Sequence, residues 1–374
     1  MDVIKLEMIQ RQVTDLGNLL TTTFAEIDQH IQLAIPPEKL KQIRNVYAVG
    51  DGDSFHAAVS AELSFLEFAG VVYYPREAMR FLEYTADYID TRRPASNLVI
   101  GISSSGGTAR VIQAIEKTKT IHEDIQLVAM VGNPESKVAQ AAKAIVSVQI
   151  PSFGASPGIR TFSASLMGLI ALAIRIGEAR GRLSKDDVTR LHQEILSLAK
   201  PIDDLAMSSA AVAQQAAQQF HNNSFISFVG SGPSLGSALF SSAKVVEIAG
   251  LYSVAQDLEE WAHVEGLAYP LNYPVYLVAP TGKSTWRAEK LAYLVTSLGH
   301  PLIVVGQKEN ALLQGMASYY FPLETEVCES FSPLITHVPA HLFAKFLAQE
   351  LNRAPFMGDN EVVQGYYAAA RVNR

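Results

Sequence analysis

The stretch "VYAVGDGDSFHAAVSAELSFLEFAG" at residues 46–70 returns as "ISFVGSGPSLGSALFSSAKVVEIAG" at residues 226–250. At a constant offset of 180, Gly50 meets Gly230, Gly52 meets Gly232, Ser54 meets Ser234, Glu67 meets Glu247 and Gly70 meets Gly250. Five ungapped coincidences of turn and polar residues read as two copies of one fold unit.

Outward from each copy the same signals recur. The runs "VYAV", "LVIGI", "LVAMV" and "IVSVQI" in the first half, and "FISFV", "VYLVA", "PLIVV" and "YYFPL" in the second, are short, apolar and β-branched or aromatic. Helix-length segments separate them, which predicts a parallel sheet covered on both faces and hence an α/β chain. Between the halves, "LSKDDVTRLHQEILSLAKPIDDL" opens with a Ser184–Asp187 cap and is expected to break at Pro201. The expected layout is a helical segment over 1–35, one domain over 36–190, a second over 200–355, and a tail over 356–374 that closes the site.

Composition narrows the function classes. The chain has 374 residues and a formal net charge of −7, which argues against nucleic acid and anionic membranes as partners. A single cysteine, Cys328, excludes an internal disulfide and a cysteine-based zinc cluster. The start "MDVIKLEMIQRQVTD" lacks the apolar core of a secretory signal. The run "LMGLIALAI" at 166–174 is far short of the roughly 20 residues that span a bilayer, and reads as a core helix. A soluble, cytoplasmic protein is expected.

Four glycine-bearing loops are candidates for chemistry. "VGDGDS" and "VGSGPS" suggest a dinucleotide turn, but Phe55 and Leu235 stand where its third glycine belongs, so no nicotinamide cofactor is expected. "APTGKST" at 279–285 ends like a nucleotide-phosphate loop, but Leu277 replaces the required first glycine. "SSSGGT" at 103–108 differs. After a strand, a turn of small residues lets backbone N–H groups and hydroxyls converge, and the following helix start favours an anion. Ser103, Ser104, Ser105 and Thr108 would cradle a phosphate monoester; the plainer alternative is a turn in which Ser105 or Thr108 caps the next helix. In the second half Ala279 and Pro280 face Ser103 and Ser104, so one anion site per chain is expected.

These motifs resemble the sugar isomerase (SIS) family, and within it the isomerase half of glucosamine-6-phosphate synthase and stand-alone fructosamine-6-phosphate deglycases. The resemblance rests on "SSSGGT", on the turn "GDGDS", and on "KVVE" (Lys244, Glu247) followed by a histidine sixteen residues after the glutamate, His263 in "EEWAH". It implies two tandem SIS domains of flavodoxin-like three-layer form. It implies a sugar 6-phosphate held by Ser103, Ser105 and Thr108, with Ser54 and Ser104 near the sugar and Lys244 among the substrate-binding residues. Glu247 would move a proton between the first and second carbons, and His263 would assist ring opening across a homodimer with shared sites. A carboxylate tuned by burial and a near-neutral imidazole suit those two tasks. The plainer reading makes both ordinary surface residues. No metal or cofactor is expected, since "HVPAH" (His337, His341) is the only paired histidine spacing and contains a proline.

Two departures from the family matter. No glutaminase cysteine leads the sequence, and no lysine follows Lys345 to form a sugar imine. The first argues against glutaminase activity; the second favours a substrate that already carries its nitrogen, processed by isomerisation, deamination or deglycation. Arg160 falls near a family lysine and is expected to meet a substrate carboxylate. The rival reading is a non-catalytic sugar-phosphate-binding regulatory module.

Overall fold

The structure is a computed structural model and describes residues 4–365. Ten strands form two separate five-stranded sheets, and every strand pair is parallel. The first contains β1 (Asn45–Gly50), β2 (Val72–Glu77), β3 (Asn97–Ser103), β4 (Gln126–Val131) and β5 (Ala144–Ser147), in the order β2-β1-β3-β4-β5. The second contains β6 (Phe225–Gly230), β7 (Tyr252–Asp257), β8 (Val275–Ala279), β9 (Leu302–Gln307) and β10 (Tyr319–Leu323). Its order, β7-β6-β8-β9-β10, repeats the first. This 2-1-3-4-5 arrangement is that of doubly wound, flavodoxin-like sheets.

The expected strands form, with one more in each half. β2 and β7 were not legible as strands because their sequences, "VYYPRE" and "YSVAQD", mix polar and apolar residues. Both are edge strands bonded on one side only, where partial exposure is tolerated and Pro75 withholds no ladder donor that a neighbour needs. The central strands are different. Val46, Tyr47, Ala48 and Val49 are all buried, and since alternate side chains point to opposite faces, both faces must be covered. On one face Tyr47, Val49, Val99, Leu127 and Val131 pack with Phe81, Val111 and Ile115 from the helices Ala78–Tyr84 and Ala109–Ile121. The second half repeats this with Val229, Val275, Leu277, Val304, Trp261, Leu291 and Val295.

The turns between strand and helix also repeat. Gly52 and Gly232 sit at φ +54° and +56°, the left-handed region that side chains disfavour, just before the helices Asp53–Ser60 and Pro233–Ala249. The helices then diverge. In the first half the segment is interrupted, and Glu67 lies in a π-helical turn Phe65–Ala69; in the second, Glu247 lies on an unbroken α-helix. Each segment ends at a glycine whose neighbouring carbonyls accept from an arginine. Arg180 and Arg182 reach Gly70 and Glu67, and Arg353 reaches Ala249 and Gly250.

The chain divides into two compact units, with the break at Ala199/Lys200. One comprises Asn18–Ser152 and Arg160–Ala199; the other comprises the described parts of Met1–Gly17, Phe153–Ile159 and Lys200–Arg374. The Ser184–Asp187 capping box forms as expected. The helical break does not fall at Pro201, however. It falls at Leu198, and Pro201 sits in the first turn of the helix Ala199–Phe220, where its missing N–H costs nothing. The helix Leu6–Val13 packs on Val338–Glu350, where Lys345 Nζ donates to Gln10 Oε1 at 2.7 Å. The helix Ile159–Ala179 is long and apolar enough to cross a membrane by length and composition, but 89% of that stretch is buried within the protein.

Candidate functional site

The hydroxyl loop leaves the carboxyl end of β3, the central strand whose register places Gly101 opposite Val49. Ser103 is buried, and its Oγ lies 2.9 Å from Thr108 Oγ1 while accepting from the Gly106 N–H at 3.1 Å. The Gly107 N–H donates to Ser105 Oγ at 3.3 Å. Thr108 occupies the N-cap position of the helix Ala109–Ile121, yet its side chain makes no capping bond. The plain capping alternative therefore fails for Thr108: its hydroxyl is turned to Ser103 and into the loop. This leaves the helix start available to a ligand anion, the arrangement that stabilises bound phosphate.

Packing fixes the loop's shape. Gly106 adopts φ +65°, and a Cβ there would lie 2.1 Å from Ser136 Oγ. The Gly106 carbonyl in turn accepts from the Val138 N–H at 3.0 Å. The turn after β1 flanks this design. Ser54 is buried at the start of the helix Asp53–Ser60, and Asp51 Oδ1 accepts from the Ala78 N–H at 2.9 Å, tying that turn to the next helix. Asp51 escaped the sequence reading; its counterpart at the offset of 180 is Ser231, so the duplication gave no signal. Arg160 was expected to meet a substrate carboxylate. It is 5% exposed, and its Nη1 donates to the Pro151 carbonyl at 2.6 Å.

The other expected residues belong to the other compact unit. Lys244 is fully buried, and its Nζ lies 2.5 Å from Glu247 Oε2, with Glu247 29% exposed. The i, i+3 spacing on one continuous helix produces this pairing. In the first half the position of Lys244 is held by Ser64. Lys244 Nζ also lies 5.1 Å from the Phe240 ring, which packs edge-on against His337 and His341. Those two imidazoles are wholly buried and 2.7 Å apart, and burial drives both pKa values down. Among the described residues no group of three histidine, cysteine or acidic side chains gathers as metal ligands.

His263 ends the helix Leu258–His263 and is 67% exposed, its Nε2 3.3 Å from Glu259 Oε1. A hydrogen bond from Arg287, with His263 adding less, holds Glu259 below the usual carboxylate range. Of the expected tail, residues 366–374 lie outside the described residues.

Two doubly wound parallel sheets flanked by helices define the class: an α/β protein of flavodoxin-like strand order, with a hydroxyl-lined turn at the carboxyl end of a central strand. Residues 39–175, which hold all of β1–β5 and the hydroxyl loop, match the family model of the SIS domain. The chain is 24% identical over 341 residues to glutamine--fructose-6-phosphate aminotransferase [isomerizing] of Bradyrhizobium diazoefficiens, covering 90% of this chain and 54% of the relative. It is 26% identical over 316 residues to the enzyme of the same name from Aquifex aeolicus, covering 84% and 50%. The chain thus spans about half the length of these relatives. Among solved structures, the C-terminal domain of glucosamine-fructose-6-phosphate aminotransferase from Francisella tularensis superposes with a TM-score of 0.80 at 17% identity, covering 92% and 95% of the two chains. Glucosamine-6-phosphate deaminase from Thermotoga maritima does so with 0.71 at 17%, covering 92% and 94%. At these identities the structural likeness is one of fold.

Proposed function

We propose that the chain is an enzyme acting on a 6-phosphorylated amino sugar by moving a proton between its first and second carbons. The observation that carries this reading is the Ser103–Thr108 hydroxyl pair. It is directed into the loop and leaves an uncapped helix start, a combination that suits a phosphate monoester without any cation. The names of the relatives, an isomerizing aminotransferase and a deaminase, support an amino-sugar phosphate as the substrate class.

In the mechanism, Ser103, Ser104, Ser105 and Thr108 grip the phosphate and Ser54 contacts the sugar. Glu247, oriented by its contact with Lys244, takes the proton. From a ketosamine the proton leaves the first carbon and returns to the second, turning the C–N bond into an imine that water cleaves to an aldose phosphate and an amine. From a 2-amino aldose the transfer runs the other way and releases ammonia. His263, supplied by a second copy in a homodimer, serves ring opening. Positioned acid–base groups of this kind contribute about 10²–10⁴-fold each.

The test mixes purified protein with fructosamine 6-phosphates and glucosamine 6-phosphate and follows ammonia, free amine and hexose 6-phosphate. Turnover that E247Q abolishes supports the proposal; turnover unchanged in E247Q removes Glu247 as the base. One observation favours the binding-module reading: the ion pair with Lys244 neutralises the carboxylate that would act as base. Tight binding without any product, unaltered in E247Q, would establish that alternative.

A further inference from the structure

The second half holds a loop in the same frame as the hydroxyl loop. Val229 pairs with Leu277 as Val49 pairs with Gly101, so residues of the two loops correspond at an offset of 176 rather than 180. Ala279 and Pro280 replace Ser103 and Ser104, Gly282 matches Gly106, Lys283 matches Gly107, and the helix Thr285–Ser297 starts where Ala109–Ile121 does. This loop is filled. The Lys283 N–H donates to Glu329 Oε2 at 3.0 Å, and Lys283 Nζ lies 3.9 Å from the same oxygen. The carboxylate is 17% exposed and presses on the backbone; a Cβ on Gly282 would come within 2.5 Å of Glu329 Oε1. In the first half the corresponding N–H, that of Gly107, meets only the Ser105 hydroxyl.

We propose that Glu329 is a built-in anion: its carboxylate occupies, in the loop after β8, the place that the first loop gives to a ligand's phosphate. The inference rests on reading the first loop as a phosphate cradle. A carboxylate and a phosphate make the same charge-assisted bonds to a turn N–H and an ammonium, and the start of a helix favours either. A tethered anion also acts at a high effective concentration, so it excludes free ligands from the loop. The second loop is thus an anion site closed by the chain itself, and removing the carboxylate opens it to phosphate.

The experiment uses the full chain with its first loop disabled by S103A and T108V, and titrates inorganic phosphate by calorimetry and ³¹P NMR. With Glu329 present, no saturable phosphate site is expected. Adding E329A should create one site per chain, with apparent affinity at least about tenfold above the parent's, and a thermal midpoint that rises with phosphate but not with chloride. Should E329A fail to fold, E329Q, neutral and of nearly the same shape, gives the same readout. Phosphate binding by neither variant better than the parent overturns the proposal. The first loop is read separately, on the chain with Glu329 intact. No phosphate site there removes the reading of that loop, while a gain in the Glu329 variants still shows the second loop to be an anion site.

Discussion

Lys244 Nζ, with no exposure at all, lies 2.5 Å from Glu247 Oε2, one turn along the same helix. An ion pair at this distance fixes the direction of the carboxylate, and it leaves the buried ammonium with that carboxylate as its counter-charge.

Removing the carboxylate therefore strands a buried charge. E247A is expected to lower unfolding free energy by about 3 kcal/mol, the low end for a broken buried pair because Glu247 keeps some exposure. E247Q, which retains an acceptor, should cost less while losing turnover. Urea unfolding of both variants checks this; equal stability for E247A and wild type would show that the pair contributes nothing.

S103A separates binding from folding. Ser103 Oγ accepts from the Gly106 N–H, but that N–H also donates to the Ser103 carbonyl at 3.0 Å, so stability should fall by only about 1 kcal/mol. A lost hydrogen bond to a charged ligand is larger, and the substrate KM should rise roughly 10–100-fold. A KM within twofold of wild type would remove Ser103 from the binding site.

Two adjacent glycines should respond in opposite ways. G106A meets both a positive φ and a Cβ position 2.1 Å from the Ser136 side chain, and is expected to cost about 1–3 kcal/mol and to weaken phosphate binding. G107A places its Cβ no nearer than 3.9 Å to Ser105 Oγ and should stay within about 0.5 kcal/mol of wild type. Thermal melts and phosphate titration of the two variants decide it.

His337 and His341 give stability a pH dependence of known sign. Their Nδ1 and Nε2 atoms face each other at 2.7 Å; Lys244 is the nearby cation, and Ser237, hydrogen-bonded to Thr336, flanks the same helices. Burial lowers both imidazoles below the ordinary 6.5. The unfolded chain then binds more protons than the native one, so this contribution is complete above pH 6.5 and is lost progressively as pH falls toward the native pKa values. Each group contributes up to about 1.4 kcal/mol per pH unit across that window. Denaturant unfolding from pH 7.5 down to 4 should show a steeper loss in wild type than in the H337Q/H341L variant. Parallel curves would mean that the pair does not titrate on unfolding.

What the sequence disclosed followed from local signals. Duplicated glycine turns, apolar central strands and the Ser184–Asp187 box are encoded by neighbours in the chain, and all appear in the structure. Lys244 and Glu247, which the sequence assigned to substrate binding and to proton transfer, instead pair with each other as i, i+3 residues of one helix face. What escaped depends on distant partners. β2 and β7 gain strand structure by docking on β1 and β6, which their mixed polarity conceals. The bond from Arg160 to the Pro151 carbonyl had no motif to announce it, and the proline in "HVPAH" gave no hint that its two histidines meet in a closed core. Glu329 sits 46 residues from the loop it fills, in a stretch with no motif of its own.

The bond between Gln10 and Lys345 spans 335 residues of chain. The helix Leu6–Val13 cannot dock on Val338–Glu350 until the whole stretch between them has been made, whereas the strands of the first sheet pair over far shorter separations. That clasp should therefore form after the first sheet.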